Sequence, residues 1–277
     1  MIRALLILLA ALSALTVLMV AVASGAPVQR HIRIQAEHWP AGRPPVRLIL
    51  LSDLHVSWPG NSVSRFSETA AQVNALRPDL VLIAGDFVSN AWGVRRESLS
   101  GAVAVLSKLR ARLGIVAVPG NVDQPVRPVL IAELARQGVV VLQNRAVRRG
   151  TITVVGLDDH STGHQDVAKA LTSARQAGGW PVYLSHSPYA IWGLPAGGGL
   201  LLAGHTHCGQ ISLPYFGGVA TPRSLERYDC GVVRDEKWLT IVSAGLGVSI
   251  LPFRLGAPPD YWVIDIGNWS KSPAPPA

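Results

Sequence analysis

The chain has 277 residues, of which 49% are hydrophobic and 15% charged, and a formal net charge of +8. Its length suffices for one domain with a full hydrophobic core, and its two cysteines exclude a disulfide-based framework. The positive charge suits an anionic substrate or membrane surface, but the arginines are scattered along the chain, so no nucleic-acid partner is expected.

The N-terminus carries a long apolar segment. After Arg3, the uncharged run over residues 4–23 is close to the ~20 residues that span a bilayer as a helix. Ala21-Val22-Ala23 resembles a signal-peptidase site, but the run is longer than the ~7–15 residues of a signal core. Residues 1–26 are therefore predicted to be a retained transmembrane anchor, with a cleaved signal peptide as the alternative. Arginines flank the run on both sides, so its orientation stays open.

Residues 27–269 are predicted to form one α/β domain, followed by a disordered tail over residues 270–277. Strands are predicted at Val46–Leu51, Leu80–Ala84, Ile115–Val118, Thr151–Gly156, Val182–Ser185, Leu200–Ala203, Leu239–Ser243 and Tyr261–Ile266. Helices are predicted at Ser64–Leu76, Glu97–Leu113, Pro128–Gln137 and Gln165–Ala177. Their alternation favours sheets covered by helices, and the polar segment 27–39 would be a tether or an edge strand.

Side chains that commonly bind metals follow several of these strands. His205 and His207 come directly after the apolar run at residues 200–203, and residues two apart in an extended segment project to the same side. Four more groups stand at the ends of other hydrophobic runs: Asp53-x-His55, Gly85-Asp86, Gly120-Asn121 and His186. This recurrence predicts that the side chains converge on one cluster. The alternative is that they are satisfied polar groups at strand ends.

The seven candidate metal ligands are Asp53, His55, Asp86, Asn121, His186, His205 and His207. Imidazole, carboxylate and amide oxygen donors suit divalent Mn, Zn or Fe. Seven donors exceed what one tetrahedral ion needs and suit two ions about 3.5–4 Å apart that share a carboxylate. Such a pair activates water and neutralises charge on a phosphoryl group, so the set predicts dinuclear-metal-dependent phosphoester hydrolysis.

The motifs that carry these seven residues follow one another between Leu48 and Ile266. In type and order they resemble the motifs of the calcineurin-like metallophosphoesterases. The resemblance implies the metallophosphoesterase fold, a four-layer αββα sandwich of two mixed β-sheets flanked by helices. It implies one metal held by Asp53, His55 and His207, a second held by Asn121, His186 and His205, and Asp86 bridging the two.

Four segments are similar to those of a bacterial branch with membrane-tethered members: Ser52–His55, Gly156–Asp159, Gly204–Gln210 and the late run from Leu251. That branch includes enzymes similar to UDP-2,3-diacylglucosamine pyrophosphatases of lipid A synthesis. The similarity implies a bacterial inner-membrane location and a small-molecule or lipid-linked pyrophosphate or phosphodiester substrate. The alternatives are a low-turnover metal-binding scaffold and a broad-specificity envelope phosphodiesterase, secreted if the N-terminus is cleaved.

One position departs from the family pattern. The family usually has histidine after Gly-Asn, near the leaving oxygen, and this chain has Val122. General acid catalysis typically contributes about 10²–10⁴-fold, so valine favours a pyrophosphate or activated diester over alkyl monoesters. His160 or His164 in a following loop could replace the missing group, or could simply be solvated.

The predicted catalytic residues are Asp86, Asn121 and Asp123. Asp123 would orient the neighbouring backbone or a metal-bound water, or would act at a helix N-terminus beside Pro125. Arg254 would contact substrate phosphate or form a surface ion pair.

The cysteines, Cys208 and Cys230, are predicted to be free thiols, with Cys208 close to the site but not a ligand. Trp192 and Phe253 would line a groove for acyl chains or pack in the core or at its rim.

Overall fold

The computed structural model describes residues 1–57, 60–89, 96–213, 217–218, 227–235 and 237–269. Within them the strands are β1 (Val28–Gln35), β2 (Val46–Leu51), β3 (Leu80–Ala84), β4 (Ile115–Val118), β5 (Val139–Val141), β6 (Arg145–Arg149), β7 (Ile152–Gly156), β8 (Trp180–Leu184), β9 (Gly199–Ala203), β10 (Ser212–Leu213), β11 (Gly217–Gly218), β12 (Gly231–Asp235), β13 (Trp238–Val242) and β14 (Asp260–Gly267). The helices are α1 (Ile2–Ser24), α2 (Val63–Ala75), α3 (Arg96–Leu106), α4 (Arg127–Arg136) and α5 (Val167–Ala177). Short 3₁₀ helices lie at Gln124–Val126, Pro188–Gly193 and His207–Gly209.

The strands form two mixed sheets of six strands and one short hairpin, β10–β11. The first sheet has the order β1-β14-β2-β3-β4-β5, with β14 antiparallel to β2 and the other neighbours parallel. The second has the order β12-β13-β9-β8-β7-β6 and is antiparallel only at its two edges. In both sheets the central strands are parallel, so their carboxyl ends share one edge.

Side chains alternate between the two faces of each strand, so their contacts show which face of a sheet meets the other sheet and which meets the helices. Leu48 of β2 packs in a core that residues of both sheets share, whereas Ile49 packs in a different core with Phe66 of α2. On the other sheet, Leu201 of β9 packs with Ala170 of α5. The order helices, sheet, sheet, helix confirms the predicted four-layer αββα sandwich.

The eight predicted strands are all present, and segment 27–39 contains the edge strand β1. Edge strands were harder to predict: β5 has three residues, and β6 is rich in arginine. Short or charged edges protect sheets from unwanted pairing, and for the same reason they lack an apolar pattern.

The helix predicted over residues 97–113 ends earlier, at Leu106. The Asn74 side chain accepts a hydrogen bond from the Arg110 backbone N–H and donates one to the Lys108 carbonyl, both at 2.8 Å. These bonds stabilise a non-helical backbone, while Leu109 stays buried and continues the apolar pattern that suggested a longer helix.

Helix α1 has 23 residues and a mean hydropathy of 2.8 in its most apolar stretch, none of which is buried in the domain. By length and composition it could cross a membrane, and a signal sequence would meet the same test. The predicted boundaries of the anchor and the domain stay predictions, and the tail at residues 270–277 lies outside the described residues.

Candidate metal centre

The seven candidate ligands stand just after the carboxyl ends of five strands. Asp53 and His55 follow β2, and Asp86, Asn121 and His186 follow β3, β4 and β8. The pair His205 and His207 follows β9. Because these strands run parallel within each sheet, the structure brings all seven side chains to the same end of the sandwich.

The first group contains Asp53, His55 and His207, all buried. The Nε2 atoms of His55 and His207 are 3.3 Å apart, and their rings stack with centroids 5.1 Å apart. Nε2 of His207 lies 3.4 Å from Oδ1 of Asp53. Two imidazole nitrogens and a carboxylate oxygen therefore face one small volume.

The second group contains Asn121, His186 and His205. Oδ1 of Asn121 lies 2.9 Å from Nε2 of His186 and 3.1 Å from Nδ1 of His205. The two ring nitrogens are 3.1 Å apart. An amide oxygen and two imidazole nitrogens thus form a second compact set.

Asp86 lies between the two groups. Its Oδ2 is 3.4 Å from Nε2 of His55 in the first group and 3.4 Å from Nε2 of His186 in the second. One carboxylate oxygen therefore adjoins both sets of nitrogens.

Hydrogen bonds on the far side of the rings fix which nitrogen faces the cluster. Nδ1 of His55 donates to the Val88 carbonyl at 2.9 Å, and Nδ1 of His186 donates to the Ala84 carbonyl at 2.8 Å. A carbonyl oxygen only accepts, so in the neutral rings the Nε2 lone pairs face the cluster. This pattern is usual for histidines that bind metal, and the donor set fits divalent cations.

Burial and mutual charge shift the pKa values in the metal-free protein. Burial lowers the pKa of both His55 and His205 to about 4. Burial also opposes the charged form of His186, but the Asp86 and Asp53 carboxylates outweigh it and raise the pKa of His186 to about 9. Burial favours neutral Asp53, yet the surrounding histidines hold its pKa at about 2. A cation bound here would therefore displace a proton from His186.

The backbone of the site is strained at several candidate ligands. Asp53, His55, Asp86, His205 and His207 all have positive φ, between 36° and 75°. Such conformations cost about 1–3 kcal/mol each and cluster at functional sites, where the surrounding structure imposes them.

Two motif glycines leave room for the carboxylates. A Cβ atom on Gly120 would lie 2.1 Å from Oδ1 of Asp86, and one on Gly204 would lie 2.3 Å from Oδ2 of Asp53. Any larger residue would displace a candidate ligand, which explains why glycine precedes Asn121 and His205.

Asp123 supports the loop that carries Asp86. Its buried carboxylate accepts hydrogen bonds from the backbone N–H groups of Gly120 (2.9 Å), Asp86 (3.0 Å), Phe87 (2.9 Å) and Val88 (3.2 Å). It makes no capping bond to the 3₁₀ helix at Gln124–Val126. Of the predicted roles, the structure favours orientation of the backbone over helix capping.

We expect Asp123→Asn to weaken metal binding by about 10–100-fold, the usual effect of altering a group that supports a ligand. The new amide N–H₂ would face backbone N–H donors and push the Asp86 loop away. Chelator competition measures the affinity, with Asp166→Asn as the control because Asp166 caps α5 through the Lys169 N–H. Unchanged affinity in Asp123→Asn would contradict this role.

Both sequence-based interpretations of Arg254 are wrong. It is fully buried, so it neither contacts substrate phosphate nor forms a surface ion pair. Its guanidinium donates to the carbonyls of Ala244 (2.6 Å), Gly247 (2.7 Å) and Ala257 (2.9 Å), and its Nη2 lies 3.1 Å from Nδ1 of His207. Arg254 therefore supports His207 from behind.

The prediction of free thiols is wrong. Cys208 and Cys230 form a disulfide, which ties the residue after His207 to the start of β12. Two cysteines in a chain with an apolar N-terminal run were a usable signal, because such a run allows an oxidising compartment.

Four other residues singled out in the sequence, His160, His164, Trp192 and Phe253, lie outside the two groups of candidate ligands. His160 bonds to Gln165 at 3.1 Å and His164 to Thr162 at 2.8 Å, within their own loop. Trp192 is 59% exposed and stacks on Tyr189. Trp192 therefore belongs to the rim rather than the core, and Phe253 is half-buried.

Comparison with known proteins agrees with this geometry. Residues 46–209 match the family described as "Calcineurin-like phosphoesterase". The chain belongs to this family. The predicted resemblance and enzyme class, a metal-dependent phosphoester hydrolase, are confirmed, and the clustered donors are candidate ligands for the divalent metals that the family uses.

Three relatives illustrate its breadth. The chain is 27% identical over 237 residues to "Uncharacterized metallophosphoesterase YkuE" of Bacillus subtilis, covering 82% of this chain and 81% of that protein. It is 30% identical over 254 residues to "Transmembrane protein with metallophosphoesterase domain" of Bos taurus, covering 83% of this chain but 55% of that protein. It is 29% identical over 237 residues to "Phosphodiesterase YaeI" of Escherichia coli, covering 80% and 82%.

Proposed function

We propose that this calcineurin-like phosphoesterase hydrolyses a phosphodiester or pyrophosphate with the help of two divalent cations, Mn, Zn or Fe. The observation that carries the proposal is the position of Asp86 Oδ2, 3.4 Å from Nε2 of both His55 and His186. The ligands of the first cation would be Asp53, His55 and His207, those of the second Asn121, His186 and His205, with Asp86 shared. Bound cations would supply an activated water and neutralise charge on the phosphoryl oxygens.

Val122 supports a phosphodiester or pyrophosphate, rather than an alkyl monoester, as the bond that is cleaved. Its backbone N–H donates to Oδ1 of Asp86 at 2.9 Å, so this residue adjoins the shared carboxylate. A valine there cannot donate a proton to a leaving oxygen. Leaving groups of low basicity, such as a nucleoside monophosphate or a nitrophenolate, need this help least.

We expect Val122→His to increase the hydrolysis rate of alkyl phosphoesters by about 10²-fold or more, with little change for nitrophenyl diesters. The imidazole would supply the missing proton donor where the leaving group is most basic. Steady-state kinetics with both substrate types measure the difference, and Val122→Gln controls for polarity. Equal gains on both substrates would contradict this role for position 122.

Among pyrophosphates, UDP-2,3-diacylglucosamine is the first substrate to test, because of the branch resemblance of the motifs. Purified full-length protein with Mn²⁺ is expected to release UMP from it. A rate no higher than that of an Asp86→Ala variant would exclude this substrate. Parallel reactions with bis(p-nitrophenyl) phosphate would show whether the wider class is right.

The Cys208–Cys230 disulfide favours a second candidate, an envelope phosphodiesterase. Disulfides persist on the oxidising side of bacterial membranes, and nucleotide substrates are found on the cytoplasmic side. With α1 retained as an anchor in the inner membrane, the domain would then face outward. With α1 cleaved, mass spectrometry would find a mature N-terminus near Ser24.

The state of the thiols discriminates between these candidates. For an envelope enzyme, we expect acid-quenched protein from membranes to react with maleimide only after reduction, at both cysteines. The disulfide supports an oxidising compartment for the domain, because disulfides persist where reducing pools do not reach them. Mass spectrometry of the labelled protein gives the count. Two reactive thiols before reduction would contradict the outward orientation and favour a cytoplasmic substrate.

A further inference from the structure

We propose that three exposed aliphatic residues, Leu213, Ile250 and Leu251, insert into the membrane surface beside α1, so that the metal centre acts on phosphate groups of membrane lipids. These three residues are called the apolar corner below. The substrate class in this proposal depends on the proposed function, whereas the membrane contact does not.

The end of α1 is held against the domain by two hydrogen bonds. The Arg254 backbone N–H donates to the Met19 carbonyl at 3.1 Å. Nε of Arg65 donates to the Gly25 carbonyl at 2.8 Å, and its Nη1 bonds to the carbonyls of Gly60 and Leu246. The domain therefore has a defined position next to the last turns of the apolar helix.

The contact between Arg254 and Met19 lies at a depth along α1 that suits a segment at the membrane interface. Met19 lies five residues before the end of α1 at Ser24, which corresponds to about 7.5 Å along a helix. Apolar faces that lie on membranes are buried about 5–10 Å into the boundary between headgroups and acyl chains. If α1 spans the bilayer, the segment next to Met19 lies at that depth.

Ile250 and Leu251 of the apolar corner lie in this segment, and Leu213 ends the neighbouring strand β10. Ile250 is 70% exposed, Leu251 is 51% exposed and Leu213 is 41% exposed. The Gln210 side chain donates to the carbonyls of Ser249 and Leu251, both at 3.1 Å, which holds the two loops together. Exposed aliphatic residues grouped beside an apolar helix are expected where a protein contacts lipid rather than water.

The backbone at Ile250 provides a separate indication. Its φ is +60°, a conformation in which a β-branched residue is a genuine outlier. Asparagine or glycine would adopt it with less strain. The chain thus keeps an apolar side chain in an unfavourable conformation that leaves it exposed, which points to a functional requirement.

The same segment connects the apolar corner to the metal centre. The Gly247 N–H donates to the Asp53 carbonyl at 2.7 Å, and Arg254 contacts His207. Only a few residues separate these contacts from Ile250 and Leu251. The apolar corner is therefore only a few residues along the chain from groups that support two candidate ligands, Asp53 and His207.

The membrane contact can be tested without measuring activity. The full-length chain carrying Leu251→Cys would be labelled with the fluorophore NBD, since its native cysteines are paired, and reconstituted in vesicles of phosphatidylcholine and phosphatidylglycerol. The control is Val129→Cys on α4, where the side chain is 55% exposed. NBD at position 251 is expected to emit at shorter wavelengths and to be quenched by doxyl-labelled lipids, unlike NBD at position 129.

Two outcomes would overturn the proposal. Equal emission and quenching at positions 251 and 129 would exclude insertion. A shift at position 251 without quenching by doxyl lipids would indicate a protein surface, such as a second copy of the chain, instead of lipid.

Activity tests the substrate class. Ile250→Asn suits the left-handed backbone and preserves the fold. It is expected to reduce hydrolysis of phosphatidyl-p-nitrophenol in vesicles at least tenfold and leave hydrolysis of soluble bis(p-nitrophenyl) phosphate unchanged, with Val129→Asn as the control. Equal effects of Ile250→Asn on the two substrates would overturn the proposal. Inactivity of the wild-type protein on both diesters would instead contradict the proposed function, and the NBD result would still decide the membrane contact.

Discussion

Asp86→Asn is expected to lower kcat/KM for bis(p-nitrophenyl) phosphate by more than about 100-fold, because changes to groups that merely support metal ligands already cost up to that much. The substitution removes the negative charge that both groups of nitrogens share, at 3.4 Å from His55 and from His186. It should also lower the number of cations retained per chain. Kinetics and metal analysis on the same preparation measure both effects.

The matched control is Asp79→Asn, at the amino end of β3, whose carboxyl end leads to Asp86. Asp79 pairs with Arg112 at 2.7 Å, away from the metal centre. Its replacement should leave kcat/KM within a fewfold of the wild-type value. Similar losses in the two variants would indicate general destabilisation and contradict a direct role for Asp86.

Arg254→Met is expected to lower the free energy of unfolding by more than about 3 kcal/mol, since each buried acceptor left without a donor costs about 1–3 kcal/mol. The carbonyls of Ala244, Gly247 and Ala257 would all lose their guanidinium donor. Chemical unfolding of the full-length protein in detergent measures the change. Metal affinity should fall as well, because His207 would lose its support.

Arg112→Met provides the comparison. The Arg112 side chain is 64% exposed and pairs with Asp79 at the surface. Exposed ion pairs contribute at most about 1 kcal/mol, so this variant should unfold almost like the wild type. Equal stabilities of Arg254→Met and Arg112→Met would contradict the supporting role of Arg254.

The central strands and the candidate ligands were predictable because their signals are local. The strands β3 and β4 are continuous apolar runs, and β2 is one from Leu48 onward, as expected for parallel strands buried on both faces, and the candidate ligands stand just after such runs. Parallel strands bring such positions together, so the order of the motifs sufficed to predict the cluster.

The residues that support the site were not predictable in the same way. Arg254 contacts His207 across 47 positions of sequence, and nothing near Arg254 in the chain indicates that it is buried. The sequence predicts a role for Asp123 but leaves several roles open, and its four backbone donors become visible only in the fold. The disulfide was missed because two cysteines 22 positions apart form a bond only in an oxidising compartment, which the apolar N-terminal run allows but does not establish.

Elemental analysis of protein prepared without chelators tests the central claim most directly. If the seven side chains bind two cations, the full-length protein should contain about two equivalents of Mn, Zn or Fe per chain, or should take up two when they are added. Asp86→Asn should hold fewer. Protein that contains no transition metal and binds none when it is supplied would contradict the account.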